Sequence, residues 1–164
     1  MISMMMIIIA LLVVIDQLIK AVMLLWLKPM GSFMLVKGFL QFYYVENTGA
    51  AFSMLSGEFG RIFFIIFTVI AIAAGLYLLI SGRLKSPVLK ISAVLIISGG
   101  LGNLIDRIFR GSVIDYIEPL FVNFAVFNFA DCLVTVGAAI LIVYLIYDLV
   151  KSVRKSDKAS GGEG

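Results

Sequence analysis

Apolar residues run almost unbroken through four stretches of the chain, and the polar residues gather between them. The stretches cover about 4–27, 62–80, 88–105 and 132–150. In runs this apolar, periodicity does not separate helix from strand, so length decides. Crossing roughly 30 Å of hydrocarbon at 1.5 Å per residue takes about 20 residues. The pattern predicts an all-α integral membrane protein, a single membrane domain over 1–164 with four transmembrane helices. The first run has no basic segment ahead of it and carries Asp16 and Lys20 within it, which reads as a retained helix and not a signal peptide.

The polar intervals set the orientation. Arg83, Lys85 and Lys90 lie around the short connection between spans two and three, and Lys151, Arg154, Lys155 and Lys158 follow span four. By the positive-inside rule both segments, and hence both termini, are expected in the cytoplasm. The longer connections, 28–61 and 106–131, mix Lys28, Lys37, Arg61, Arg107 and Arg110 with acids and are expected outside. Within the first, 33–45 (FMLVKGFLQFYYV) is rich in β-branched and aromatic residues broken by Gly38, which reads as a short strand pair or an interfacial segment. The Lys/Ser/Gly-rich end, Ser156 to Gly164, is expected to be disordered.

Composition agrees. Apolar residues make up 62% of the chain and charged residues 14%, with a mean hydropathy of +1.14. A soluble domain is about 45–50% apolar and about 25% charged, and a chain of 164 residues cannot bury such a surplus. The net charge of +3 resides in segments beside apolar runs, the pattern of membrane orientation, so a nucleic-acid partner is not expected. There is no histidine, which removes Ser-His and Cys-His catalysis and the His-containing zinc sites. The single cysteine, Cys132, reads as a small buried hydrophobe.

Acid–base chemistry near neutral pH therefore falls to carboxylates, Lys, Tyr or water. Carboxylates in or beside spans are costly and usually functional. The topology brings Asp106 and Asp115, after span three, to the same end of the membrane as Asp131, at the start of span four. Two carboxylates within reach of each other share one proton, so that one can act as base on a water while the other donates to a carbonyl. Other readings stand beside this one: Asp131 as a helix cap, Asp115 as an ordinary loop acid, and Asp106 with Arg107 as a salt bridge. Asp16 and Lys20 are spaced i, i+4 with the acid first, the favourable order for an ion pair; the alternative is substrate or proton handling. Asn47, Asn103 and Asn128 accompany small-residue motifs and suit interhelical hydrogen bonds. Gly99, Gly100 and Gly102 suit close helix approach.

At DQLIK (16–20), NTGAAFS (47–53), GGLGNLIDR (99–107), GSVIDY (111–116) and FNFAD (127–131) the chain resembles the lipoprotein signal peptidases, or signal peptidase II. The motifs come in that family's order across all four spans. The resemblance implies a membrane aspartic endopeptidase of the bacterial cytoplasmic membrane that removes the signal peptide of diacylglyceryl-modified prolipoproteins, cutting before the lipidated cysteine. It implies Asp115 and Asp131 as the catalytic pair. Support or substrate contact is implied for Asn47, Gly49, Asn103, Asp106, Arg107, Asn128, Ala130, Asp16 and Lys20. It further implies an extracytoplasmic β-rich cradle, a mobile loop over the site in the ENTGAAFS stretch, inhibition by globomycin-type cyclic peptides, and partners confined to the lipidated substrate and the phospholipid bilayer. No metal or cofactor is expected. The connection YIEPLFVNFAV is short, and Glu118 within it has no assigned role. The rival readings are an ion-coupled transporter, which would spread its acids through the membrane depth, a non-enzymatic assembly subunit, and a Mg²⁺-dependent transferase.

Overall fold

The computed structural model describes residues 2–49 and 57–160, with side chains up to 155. Among the described residues, four helices are long and apolar enough to cross a membrane. The first, α1, runs over Ile2–Met30 and includes a π-helical turn at Met23–Leu27, where the Lys28 N–H reaches back to the Met23 carbonyl. The others are α2 (Gly57–Ile80), α3 (Pro87–Phe109) and α4 (Phe129–Ser160). Pro87 opens α3 behind a Ser86 cap whose hydroxyl accepts from the Val88 N–H, a start in which the missing proline donor costs nothing.

α3 is the central helix. In its apolar window 44% of residues are buried, against 11–17% in the other three helices, so those three present most of their surface to lipid. Met5 and Ile9 of α1, Ile72 and Leu79 of α2, and Val94, Ile97 and Leu104 of α3 form the main apolar core. Close approach of α3 depends on glycine at two of its own positions and at Gly137 of α4, where a methyl would meet the Ser92 carbonyl oxygen at 3.0 Å. A methyl at Gly99 would collide with the Ala130 carbonyl oxygen, and one at Gly102 would sit 2.5 Å from the Asp16 Oδ2. Gly100 faces only the Ile72 and Thr68 side chains, at 3.4 Å or more.

Three antiparallel strands, β1 (Ser32–Val36), β2 (Leu40–Asn47) and β3 (Val113–Pro119), form one sheet in that order. β1 and β2 are the expected strand pair, and Gly38, at φ 72°, takes the left-handed turn conformation open to glycine. β3 was not expected: Asp115 lies in a strand, paired with Val45, and not in a loop. The far edge of β3 bonds Phe127, which fixes the chain just ahead of α4. A second cluster, Met23, Leu27, Ile114 and Tyr116, seats the sheet on the end of α1.

Other expectations shift. α3 continues past 105 to Phe109, so Asp106 is a helical residue, and α4 begins three residues before Cys132. The end expected to be disordered from Ser156 stays helical to Ser160, because no Gly or Pro interrupts 151–160. Residues 161–164, and 50–53 of the stretch expected to form a mobile loop, lie outside the described residues.

Candidate active site

The start of α4 is organised by its own sequence, NFAD. Asn128 precedes the helix and Asp131 is its third residue. The Asn128 Oδ1 accepts from the Asp131 N–H (2.9 Å), and the Asp131 Oδ2 accepts from the Asn128 N–H (3.0 Å). This is a reciprocal capping box, so the capping reading of Asp131 is correct and also fixes where its carboxylate points. The other oxygen, Oδ1, accepts from Asn103 Nδ2 on α3 at 2.7 Å.

Asp115 is held from two sides. Asn47 of β2 donates to its Oδ2 at 3.0 Å and Asn128 to its Oδ1 at 2.6 Å. The Gly49 N–H donates to the Asn47 Oδ1, which leaves the Asn47 Nδ2 for the carboxylate. Burial, with the nearby negative charge of Asp131 assisting, pushes the Asp115 carboxyl up to about 6, against the pull of the Asn47 and Asn128 amides and the Lys20 charge. Asp115 and Asp131 line the same cleft, about 520 Å³, with Asn47, Phe124–Phe127, Cys132, Thr135 and Val136. The walls are nearly all carbon, so the two carboxylates are its main polar feature. Cys132 is half-buried and lines this cleft, which departs from the buried-core expectation.

Beneath the carboxylates lies a closed ionic cluster. The Lys20 Nζ is 2.9 Å from the Asp16 Oδ2, the Asp106 Oδ2 and the Asn103 Oδ1. Lys20, Asp16 and Asp106 are fully buried. Asp16 also accepts from the Ala130 N–H, next to Asp131, and Asp106 from the Ile114 N–H, next to Asp115. Asp106 pairs with Lys20 and Arg110 (3.2 Å) and not with Arg107. Arg107 instead lies over the Phe64 ring and donates to the Asn103 carbonyl. Ala130 is fully buried. No described side-chain polar atom in this interior lacks a partner.

Thus Asn47, Asp115 and Asp131 come together at one cleft, with Asn103 and Asn128 buried behind the carboxylates, Asp16, Lys20, Asp106 and Ala130 beneath them, Gly49 beside Asn47, and Arg107 on the α2 side of α3. Sequence reasoning missed Gln17, whose amide donates to Asp16, Asp106 and the Gly102 carbonyl. It also missed Tyr116, whose hydroxyl accepts from the Phe129 N–H. Both lie inside motifs that carried the resemblance, DQLIK and GSVIDY, and that was the available signal. Glu118 accepts from Gln41 across the β2–β3 pair. Among the described residues, no group of three or more His, Cys, Asp and Glu side chains is arranged to hold a metal ion.

A family model described as Signal peptidase (SPase) II matches residues 8–147. The lipoprotein signal peptidase of Halothermothrix orenii is 40% identical over 139 residues, 85% of this chain and 92% of that one. That of Streptococcus thermophilus is 44% identical over 110 residues, 67% of this chain and 71% of the other. A bacterial membrane enzyme solved by the in meso method is 32% identical and superposes with a TM-score of 0.79, over 89% of this chain and 94% of that one. The likeness reaches from α1 through the carboxylate cleft and along most of α4, in sequence and in fold alike, and the chain is therefore a multi-pass bacterial membrane protease of the signal peptidase II family.

Proposed function

We propose that this protein hydrolyses the signal peptide from diacylglyceryl-modified prolipoproteins before the lipidated cysteine, with Asp115 and Asp131 as the catalytic pair. One observation carries the assignment: a single residue, Asn128, binds Asp115 through its side chain and Asp131 through its backbone, so both carboxylates face one apolar cleft. Asp115, raised to about 6, holds the shared proton and donates it to the carbonyl oxygen of the scissile bond. Asp131 takes a proton from the attacking water. The tetrahedral adduct then collapses as one of its hydroxyls returns a proton to Asp115, the C–N bond breaks, and the amine of the cysteine leaves with the proton from Asp131. Asn47, Gly49, Asn103, Asn128 and Ala130 hold the pair in place, as do Asp16, Lys20 and Asp106, and Arg107 flanks it.

The same reading puts both termini, Arg83, Lys85, Lys90 and the basic end of α4 in the cytoplasm. The sheet and the cleft then lie at the outer face of the cytoplasmic membrane, in one membrane domain. A substrate anchored by its own helix and acyl chains diffuses in the bilayer plane, so anchoring supplies concentration and the apolar walls need read little sequence. The residues argue for this over a metal-dependent transferase, because every oxygen of the two carboxylates already accepts an N–H from an asparagine.

Purified protein should release the signal peptide from a lipidated model prolipoprotein, with the new N-terminus at the modified cysteine, and globomycin should block it. Equal cleavage of the unlipidated substrate would remove the lipid from the reading. Excess EDTA should leave the rate unchanged; loss restored by Mg²⁺ would favour the transferase.

The rate should fall on the alkaline side as the shared proton leaves the pair. The Asn47 amide stabilises the ionised form of Asp115, so Asn47→Ala should move this limb to higher pH, above the value of about 6 for Asp115. A limb that stays put or moves down would show that Asp115 does not hold that proton.

A further inference from the structure

We propose that Lys20 is a positioning residue of the catalytic pair: its ammonium fixes the direction of the Asn103 side-chain amide, and through that amide the orientation of Asp131. The inference rests on the assignment of Asp115 and Asp131 given above.

An ammonium has three N–H donors, and Lys20 directs them at three acceptors, each 2.9 Å away. Asp16 and Asp106 suffice to balance its charge. The third acceptor is the neutral Asn103 Oδ1, on a different helix and 83 residues away in sequence. That oxygen also accepts from Asn128 Nδ2 at 3.1 Å. With two donors on its oxygen, the amide has one allowed direction, which turns Nδ2 onto the Asp131 Oδ1 at 2.7 Å. The flipped amide would set N–H groups against the ammonium and the Asn128 amide, and an oxygen against the carboxylate. Each opposition is costly in a buried site. Asn128 continues the chain, because the Nδ2 that meets Asn103 also donates to Asp115. Lys20 therefore orders both carboxylates while touching neither.

A lysine that only held α1 to α3 would need nothing from Asn103. Its removal would weaken the fold independently of any change at that amide. The two roles separate in a double-mutant cycle on kcat. Lys20→Met is made alone and together with Asp16→Asn, which keeps the buried charge in balance; each is combined with Asn103→Leu, which has similar volume and no amide.

In folded protein, Lys20→Met should lower kcat roughly tenfold or more with KM within about twofold. In the Asn103→Leu background the same change should cost nothing further in kcat. Additive losses, or a change confined to KM or to the melting midpoint, would overturn the proposal. So would a charge-balanced variant that fails to fold, since Lys20 would then be holding the helices and not the amide. Asp115→Asn and Asp131→Asn are assayed alongside. Activity in either defeats the assignment of the pair; inactivity in both with an additive cycle defeats only the role of Lys20.

Discussion

Asp115→Asn and Asp131→Asn are each expected to abolish prolipoprotein cleavage, by at least roughly a thousandfold, in protein that remains folded. At Asp131 the replacement amide keeps an oxygen for the Asn128 N–H, so the cap at the start of α4 survives. At Asp115 stability moves in the opposite sense from activity. The folded-state pKa of about 6 lies above the ordinary value of 3.8, so the folded protein binds this proton more tightly than the unfolded chain does. That contribution is complete below 3.8 and is lost as pH rises through about 6. At neutral pH the wild-type protein carries a cost of up to about 3 kcal/mol for the buried charge, which the neutral replacement removes. Part of the gain is offset, because Asn47 and Asn128 both present donors and an amide can accept only one of them without opposing N–H groups. Thermal melts in detergent above pH 6 should therefore place the midpoint of Asp115→Asn at or above that of the wild type, with no turnover. Activity within about tenfold of wild type in either variant would remove the catalytic pair.

Gly99→Ala and Gly102→Ala are expected to cost about 3 kcal/mol or more of stability, above the usual range for overpacking, while Gly100→Ala stays within about 0.5 kcal/mol. The added methyl at Gly99 would meet a backbone carbonyl and also Val134 Cγ2 at 2.8 Å; the one at Gly102 would meet the Asp16 carboxylate and the Ala130 Cβ at 3.2 Å. Neither backbone nor a fully paired carboxylate can rotate away. Ala130 adjoins Asp131, so the surviving folded fraction should also lose kcat. At Gly100 the neighbours are flexible side chains at ordinary contact distance. Equal tolerance at all three positions would mean that α3 does not depend on close approach at this end.

What the sequence disclosed follows from the range of the forces involved. The four helices were legible because lipid solvation acts on each stretch separately and needs only length and composition. Asp131 was legible as both cap and candidate acid, since NFAD specifies its own capping box. The Asp16–Lys20 pair was legible from its i, i+4 spacing. Its other partners were not: Asn103 and Asp106 lie more than 80 residues away, on another helix. β3 was hidden for a related reason. Val113, Ile114, Tyr116 and Ile117 favour a strand, but the run is short, is interrupted by two acids and ends in proline, and the pairing that makes it a strand comes from β2 on one edge and Phe127 on the other. The cleft walls, Phe124–Phe127 with Cys132, Thr135 and Val136, could not be told from an interfacial aromatic belt until the strand and helix that hold them were in view.

In the proposed mechanism Asp115 and Asp131 act as one acid–base unit on a peptide bond at the membrane face. The pH dependence of kcat/KM for a lipidated prolipoprotein tests it most directly, because that quantity reports the free enzyme's essential acid and base. A bell bounded on both sides by carboxylate ionisation, with its alkaline limb near 6, is the predicted result. A rate that runs level through that pH and on upward would contradict it.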